Sequence, residues 1–96
     1  MLSRVPFKPG EGSDKEILRV GIIAELDAIN LYEQLAAATE NALLKKVLLD
    51  IAEEEKVHVG EFQELLIMLD EEHSPALEKG KKEVSAFTVE KSSKGK

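Results

Sequence analysis

The types and spacing of three residues in this sequence could bind a metal ion: Glu25, Glu55 and His58. Glu55 and His58 form a Glu-x-x-His pair, and this spacing places a carboxylate and an imidazole about one helical turn apart on one face. Such a pair can hold one ion, although a satisfied polar pair on a helix is the commoner use of the motif. Its neighbours on that face are Leu, Ile and Phe, among which an unpartnered carboxylate would cost several kcal/mol. The pair therefore needs a compensating charge.

A long amphipathic helix is predicted around this pair, because apolar and ligand residues recur at alternating steps of four and three along one face. That face consists of Leu44, Leu48, Ile51, Glu55, His58, Phe62, Leu65 and Leu69. An upstream stretch repeats the spacing and again includes one glutamate, in the series Leu18, Ile22, Glu25, Ile29, Tyr32 and Ala36. Ser13 followed by Glu16 matches a capping box, so this first helix should run from about Asp14 to about Thr39.

The connector Thr39-Glu40-Asn41 is short and polar, which predicts an antiparallel helical hairpin. Residues at equal distances from such a turn face each other. If the turn centres near residue 40, Glu25 lies opposite Glu55 and Ile22 lies opposite His58. The polar residues of two separate stripes would then meet at one level. This coincidence favours a metal site over a merely satisfied polar pair.

The remainder of the chain shows weaker patterns. Residues 1–12 contain prolines and glycines without periodicity, which predicts a flexible N-terminal arm. Ser74-Pro75 matches an N-cap followed by a first-turn proline, so a short third helix is expected from about Pro75 to Ala86. Its apolar residues are sparse, so it should dock loosely or serve an intersubunit contact. We expect residues 87–96 to form a disordered tail or linker, which leaves residues 13–86 as the helical domain.

Composition narrows the function further. The chain has 96 residues, enough for one small domain with little core of its own, so oligomerisation is expected. It lacks cysteine, which leaves His and carboxylates as the strong metal ligands. The 19 acidic against 13 basic residues argue against nucleic acid as a partner. No apolar run approaches the roughly 20 residues of a membrane span, and no signal peptide is recognisable, so we expect a cytoplasmic protein without a membrane partner.

One chain offers half of a dimetal site. Di-iron carboxylate bundles take one Glu from each of two helices and a Glu-x-x-His pair from each of the other two. A second copy about a two-fold axis would complete a four-helix bundle with four carboxylates and two imidazoles. Four negative charges balance two divalent ions. This oxygen-rich set suits iron or manganese, and zinc could substitute. The expected fold is therefore all-α, a two-helix hairpin with a short C-terminal helix that forms a homodimer.

The segments 24–34 and 51–62 resemble the encapsulated ferritin family, and the resemblance extends over residues 14–72. Members are two-helix relatives of ferritin and rubrerythrin that dimerise into a four-helix bundle, assemble into a larger ring and work inside an encapsulin shell. The resemblance implies that Glu25 is the bridging carboxylate and that Glu55 and His58 are terminal ligands. It also implies part of an outer acidic site at Asp27.

By this resemblance the protein is a ferroxidase that oxidises ferrous iron for storage inside an encapsulin nanocompartment. Tyr32 could hydrogen-bond a ligand carboxylate or pass an electron, although a structural tyrosine is the commoner case. Phe87-Thr88-Val89 is similar to the opening of an encapsulin targeting peptide, whereas a linker is the favoured reading of this tail. Two other functions stay open. One is a dimetal peroxidase or manganese catalase, and the other is a metal-free structural hairpin.

Overall fold

The computed structural model of the chain describes the backbone of residues 7–94 and the side chains of residues 7–88. This part contains three helices and no strand: α1 (Asp14–Ala38), α2 (Ala42–Leu69) and α3 (His73–Lys94). The predicted all-α class is therefore confirmed. Within the described residues, none of these helices combines the length and the apolar character needed to span a membrane.

The ends of α1 follow from local hydrogen bonds that the sequence predicted. Ser13 caps the first turn, because the Glu16 backbone N–H donates to the Ser13 hydroxyl oxygen at 3.2 Å. The Ser13 hydroxyl in turn donates to the Glu16 carboxylate at 2.9 Å, so a hydrogen bond between the two side chains completes the capping box. The helix ends at Ala38, and Thr39 has extended backbone angles. The predicted bounds are confirmed to within one residue.

A short connector turns the chain back on itself. The Asn41 backbone N–H donates to the Thr39 hydroxyl at 3.1 Å, and the Leu44 N–H donates to the Asn41 side-chain oxygen at 3.0 Å. Asn41 therefore serves as the N-cap of α2. Because so few residues separate the helices, α2 must run antiparallel to α1 and pack along it. The predicted hairpin is confirmed.

The core between α1 and α2 is small and rich in alanine. Its buried apolar residues are Leu18, Ala28, Ile29, Ala36, Ala52 and Leu66. On α2, Leu44, Leu65 and Leu69 of the predicted face are 45–47% exposed, while Ala52 and Leu66 outside it are buried. The physical reason is that one neighbouring helix covers only one edge of a broad apolar face. The other edge is exposed in this chain.

The contact between Gly21 and Phe62 shows the register of α1 relative to α2. A Cβ atom built on this residue would lie 3.5 Å from the ring of Phe62, which is ordinary van der Waals contact. Counting from a turn centred near residue 40 also places Phe62 opposite Leu18, which is about one turn from Gly21. The observed register therefore agrees with the predicted one to within a turn. The space above Gly21 is thus occupied by an aromatic ring of α2.

The prediction for α3 was wrong at both ends. The helix begins at His73 and continues to Lys94, so residues 87–94 are helical and not a disordered tail. Pro75 fits inside the first turn, where backbone N–H groups have no intrahelical partner. The C-terminal end was missed because apolar periodicity reports burial and not helix formation. No Pro or Gly interrupts residues 81–94, so no helix-breaking residue ends α3 earlier.

Part of the N-terminal arm is described. Lys8 to Glu11 form a tight turn in which the Glu11 N–H donates to the Lys8 carbonyl at 3.0 Å. Gly10 has a φ of 80°, and Pro9 precedes it, as in a type II turn. The Phe7 ring lies against Gly12, where a Cβ would meet it at 2.8 Å. Residues 1–6 of the predicted flexible arm lie outside the described residues.

Candidate metal centre

The hairpin brings Glu25, Glu55 and His58 together. One ligand atom from each residue lies within 4.8 Å of the other two. The Nδ1 atom of His58 is 3.4 Å from Glu25 Oε2 and 3.5 Å from Glu55 Oε2. Glu25 is supplied by α1, and the other two residues are one turn apart on α2. The structure therefore places all three predicted ligands at one level, as counting from the turn had indicated.

The three side chains differ in burial. Glu25 and Glu55 are 21% and 18% exposed, whereas His58 is 48% exposed. The carboxylates thus lie in the groove between the helices, and the imidazole stands at its edge. A metal ion held by these atoms would be covered by the hairpin on one side and open on the other.

One carboxylate oxygen at this centre lacks a hydrogen bond. Glu25 Oε2 is buried and has no hydrogen-bond partner among the described residues. Its 3.4 Å contact with the imidazole is longer than the usual range of about 2.7–3.2 Å for N–H···O bonds. Buried carboxylates without partners are rare because they lose hydration without compensation. The residues therefore fit a cation between Glu25, Glu55 and His58.

Nearby basic residues do not supply that cation. Lys56 lies next to Glu55 in sequence, but its ammonium group is 3.2 Å from Glu53 and 3.6 Å from Glu33. The hydrogen bond and charge of Glu53, with a further contribution from Glu33, raise the pKa of Lys56. Among the described residues, no Lys or Arg forms an ion pair with Glu25 or Glu55.

The donor set indicates the class of metal. Two carboxylates with a neutral imidazole carry a net charge of −2, which one divalent ion neutralises. Oxygen and imidazole donors without thiolates suit Fe, Mn or Zn rather than soft metals. Three donor atoms fall short of the four to six ligands that these ions take, so about one to three further ligands must come from elsewhere. No other group of this kind occurs in the part of the chain that the structure describes.

Tyr32 was also considered a site residue from the sequence. It lies on α1 seven residues after Glu25 and is half-buried. Its hydroxyl makes no hydrogen bond to Glu25, Glu55 or His58 within the described chain. Any role of Tyr32 in electron transfer stays a prediction.

A helical hairpin with two carboxylates and an imidazole at one level is typical of ferritin-like proteins. Comparison with known proteins assigns the chain to such a family. The family model for rubrerythrin matches residues 16–94. The chain belongs to the rubrerythrin family, whose domains bind di-iron. Its fold is similar to the crystal structure of the encapsulated ferritin domain from Pyrococcus furiosus, with a TM-score of 0.78 and 49% sequence identity. That match covers 88% of this chain and 92% of the other.

Two curated relatives carry names that refer to encapsulins. The chain is 58% identical over 73 residues to a ferritin-like-encapsulin shell fusion protein of Pyrococcus furiosus. It is 40% identical over 72 residues to the encapsulin nanocompartment cargo protein EncC of Myxococcus xanthus. These matches cover 76% and 75% of this chain. They span only 21% and 55% of the relatives' own lengths. The resemblance to encapsulated ferritins inferred from the sequence is therefore confirmed at the level of the family.

Proposed function

We propose that this protein is a ferroxidase, with ferrous iron as its substrate, and that its di-iron centre is shared by two copies of the chain. The observation that carries the proposal is the group Glu25, Glu55 and His58, with one buried carboxylate oxygen that lacks a partner. A metal-free structural hairpin would leave that oxygen uncompensated. The rubrerythrin family match supports iron as the metal.

The arrangement around His58 supports a shared centre. The imidazole is about half-exposed, and the same edge of α2 carries the exposed apolar side chains Leu44, Val47, Leu65 and Leu69. Apolar surface of this extent is characteristic of a protein interface. A second hairpin placed here by a two-fold axis would cover the apolar edge and bring a second Glu, Glu, His set to the first. Two copies then provide four carboxylates and two imidazoles for two ions.

Each residue has a definable part in this function. Two ferrous ions held here would each give up one electron and become ferric; with two protons, dioxygen would be reduced to hydrogen peroxide, or peroxide to water. Glu25 and Glu55 neutralise the charge of the ions, and their partial burial favours binding over hydration of the carboxylates. His58 presents Nδ1 to both carboxylates, so the neutral imidazole contributes a nitrogen donor in the same place. The apolar residues around them limit the access of water to the centre.

An encapsulin compartment would complete the function. Two hairpins in a bundle enclose no space for a mineral, so ferric product needs another container. The printed names of the relatives refer to an encapsulin shell fusion and an encapsulin cargo protein. These names support our proposal that the chain works in the cytoplasm within an encapsulin shell, with the shell protein as its partner. A dimetal peroxidase or manganese catalase would use the same ligands, and the choice of metal and oxidant separates it from a ferroxidase.

The activity is tested by anaerobic titration with ferrous iron followed by a pulse of oxygen, with the ferric absorbance recorded. Glu25→Ala, Glu55→Ala and His58→Ala should each abolish rapid oxidation and retain far-UV helicity. Glu40→Ala removes an exposed carboxylate in the connector and should retain the wild-type rate. Wild-type rates in the three ligand variants would refute the centre. A rapid reaction with peroxide and manganese, and none with iron, would favour the catalase alternative.

The shared centre is tested separately by light scattering. Metal should promote association, because one binding free energy includes ligands from two chains. Cobalt or zinc added to metal-free protein should therefore raise the fraction of dimer or larger assembly, and His58→Ala should reduce this response. A protein that oxidises iron rapidly as a monomer would exclude the two-copy arrangement.

A further inference from the structure

Asp70 is the one buried charged residue in the described part of the chain, and it lies outside the metal centre. It follows the last residue of α2, and its backbone N–H donates to the Leu66 carbonyl at 2.8 Å. Three residues later α3 begins, and the His73 N–H donates to the Asp70 carbonyl at 3.1 Å. Asp70 therefore occupies the corner between these two helices.

The carboxylate of Asp70 connects this corner to α1. Its Oδ1 accepts a hydrogen bond from the Glu72 backbone N–H at 3.1 Å. Its Oδ2 accepts one from the Arg19 guanidinium at 3.0 Å, and the Lys15 ammonium lies 4.0 Å from Oδ1. One buried side chain thus joins the end of α2, the start of α3 and the first turns of α1. Of these groups, the two cations are exposed and the carboxylate is only 9% exposed.

Little else holds α3 in its observed direction. In the described residues its backbone approaches α2 in few places and α1 in none. Its side chains from Ser74 to Thr88 are all exposed. The chain is accordingly flat, with extents of 45 × 44 × 17 Å, because α3 leads away from the hairpin instead of packing along it. A helix without packing contacts would swing freely unless its base were fixed.

We infer that Asp70 is the positioning residue that fixes the direction of α3, through its ion pairs with Arg19 and Lys15 of α1. The Glu72 N–H fixes the carboxylate at the base of α3, and the two cations fix the same carboxylate to the hairpin. These contacts add to the backbone hydrogen bond from the His73 N–H to the Asp70 carbonyl, which joins α2 to α3 but not to α1. In some proteins buried polar or ionic groups specify one arrangement over others, and we assign this role here to a buried carboxylate paired with two exposed cations.

The direction of α3 decides where its apolar residues lie. Leu77, Val84 and Phe87 recur at steps of seven and three, so they share one face of the helix. All three are exposed in the described chain, Phe87 at 72%. Asp70 thus holds this face away from the hairpin of its own chain. The inference is independent of the iron chemistry, since neither Asp70 nor its partners belong to the metal centre.

The inference is tested by a distance measurement across the corner. Because the natural chain has no cysteine, Glu40→Cys and Ser85→Cys provide two unique and exposed sites for spin labels. Double electron–electron resonance then reports the distance from the hairpin turn to α3. Labelled chains are diluted in excess unlabelled chains so that distances between copies do not contribute. The wild-type background should give one narrow main distance.

Two variants remove the ion pairs without removing the turn. Asp70→Asn keeps an oxygen that can accept from the Glu72 N–H but loses the charge, and Arg19→Met removes an exposed guanidinium. Both should broaden the distance distribution, and Arg19→Lys should restore the narrow one. Lys56→Met is the matched control, because Lys56 also pairs with a residue of α1 but lies far from the corner along α2. It should leave the distribution narrow.

The outcomes separate fixation of α3 from general stability. Each variant is first compared by far-UV circular dichroism and by thermal unfolding. Broadening in Asp70→Asn and Arg19→Met, with unchanged helicity and with rescue by Arg19→Lys, supports the inference. A distribution that stays narrow in Arg19→Met and Asp70→Asn would overturn it. So would equal broadening in Lys56→Met, since the ion pairs at the corner would then have no special part.

Discussion

The substitution Glu25→Gln should have opposite effects on the metal-free and the metal-bound protein. It preserves the shape of the side chain but removes one negative charge at the position where Oε2 is buried without a hydrogen-bond partner. The new amide can donate to the nearby Glu55 carboxylate or to His58, whose Nδ1 lies 3.4 Å from that oxygen. We therefore expect the metal-free variant to be more stable than the wild type.

The size of this stabilisation follows from the missing hydrogen-bond partner of Glu25 Oε2. A buried polar group without a partner costs about 1–3 kcal/mol. Since the Glu25 side chain is 21% exposed, the lower part of this range applies, at about 1–2 kcal/mol. For a domain of this size each kcal/mol shifts Tm by about 4–8 °C. The metal-free variant should therefore melt roughly 4–16 °C above the wild type.

Metal should reverse this order. A ligand present at a hundred times its Kd stabilises the folded state by about 2.7 kcal/mol. Wild-type protein should gain that much from cobalt or zinc, which avoid oxidation chemistry. Glu25→Gln should gain far less, because an amide is a weaker metal ligand than a carboxylate and leaves the ion's charge uncompensated. With metal bound, the wild type should therefore melt at a higher temperature than Glu25→Gln.

The assay is differential scanning calorimetry at one fixed protein concentration, first with a chelator and then with the metal in excess. Glu40→Gln removes the same charge from the exposed connector and should leave Tm within about 2 °C of wild type in both conditions. A metal-free Glu25→Gln variant that melts below wild type would show that Glu25 is already satisfied without metal. An equal gain from metal in both proteins would remove Glu25 from the ligand set.

Three further changes test other parts of the structure. Gly21→Ala should raise the free energy of unfolding by up to about 1 kcal/mol in urea titrations, because alanine favours a helix and its Cβ would only touch the Phe62 ring at 3.5 Å; a loss of stability would show that this ring cannot accept the contact. The Glu72 N–H, with the charges of Lys15 and Arg19, lowers the pKa of Asp70 below 3.8. The stability from this carboxylate is present above that value and lost as pH falls through the lowered pKa, so urea titrations between about pH 6 and pH 2 should show the difference between wild type and Asp70→Asn shrinking in acid. Removal of residues 87–96 should leave dimerisation and the rate of iron oxidation unchanged, since no proposed ligand lies there; slower oxidation would place part of the functional unit in α3.

The two long helices could be predicted because their signals are local. Ser13 and Asn41 accept hydrogen bonds from the first turns of α1 and α2, and this chemistry depends only on neighbouring residues. It was predictable for a related reason that Glu25, Glu55 and His58 lie at the same height along the hairpin. A short turn fixes the register of an antiparallel helix pair, so residues that are equally far from the turn along the sequence lie opposite each other.

Tertiary structure decided what local signals could not. Leu44, Leu65 and Leu69 belong to the same periodic face as Ile51 and Phe62, yet they stay exposed because α1 covers only one edge of that face. Periodicity records that a side chain is apolar but not which partner covers it. The length of α3 was missed for the converse reason, since an exposed helix needs no apolar period.

Asp70 is the clearest example of this difference. In the sequence it begins an acidic stretch after α2 and resembles any solvated carboxylate. Its burial and its contacts with Arg19 and Lys15 depend on the antiparallel return of α2, which brings residues 51 positions apart within hydrogen-bond distance. The sequence by itself determined the helices and the level of the candidate metal ligands through local capping and counting. Only the folded chain decided which charges meet at the corner, because that depends on the side-chain contacts between helices.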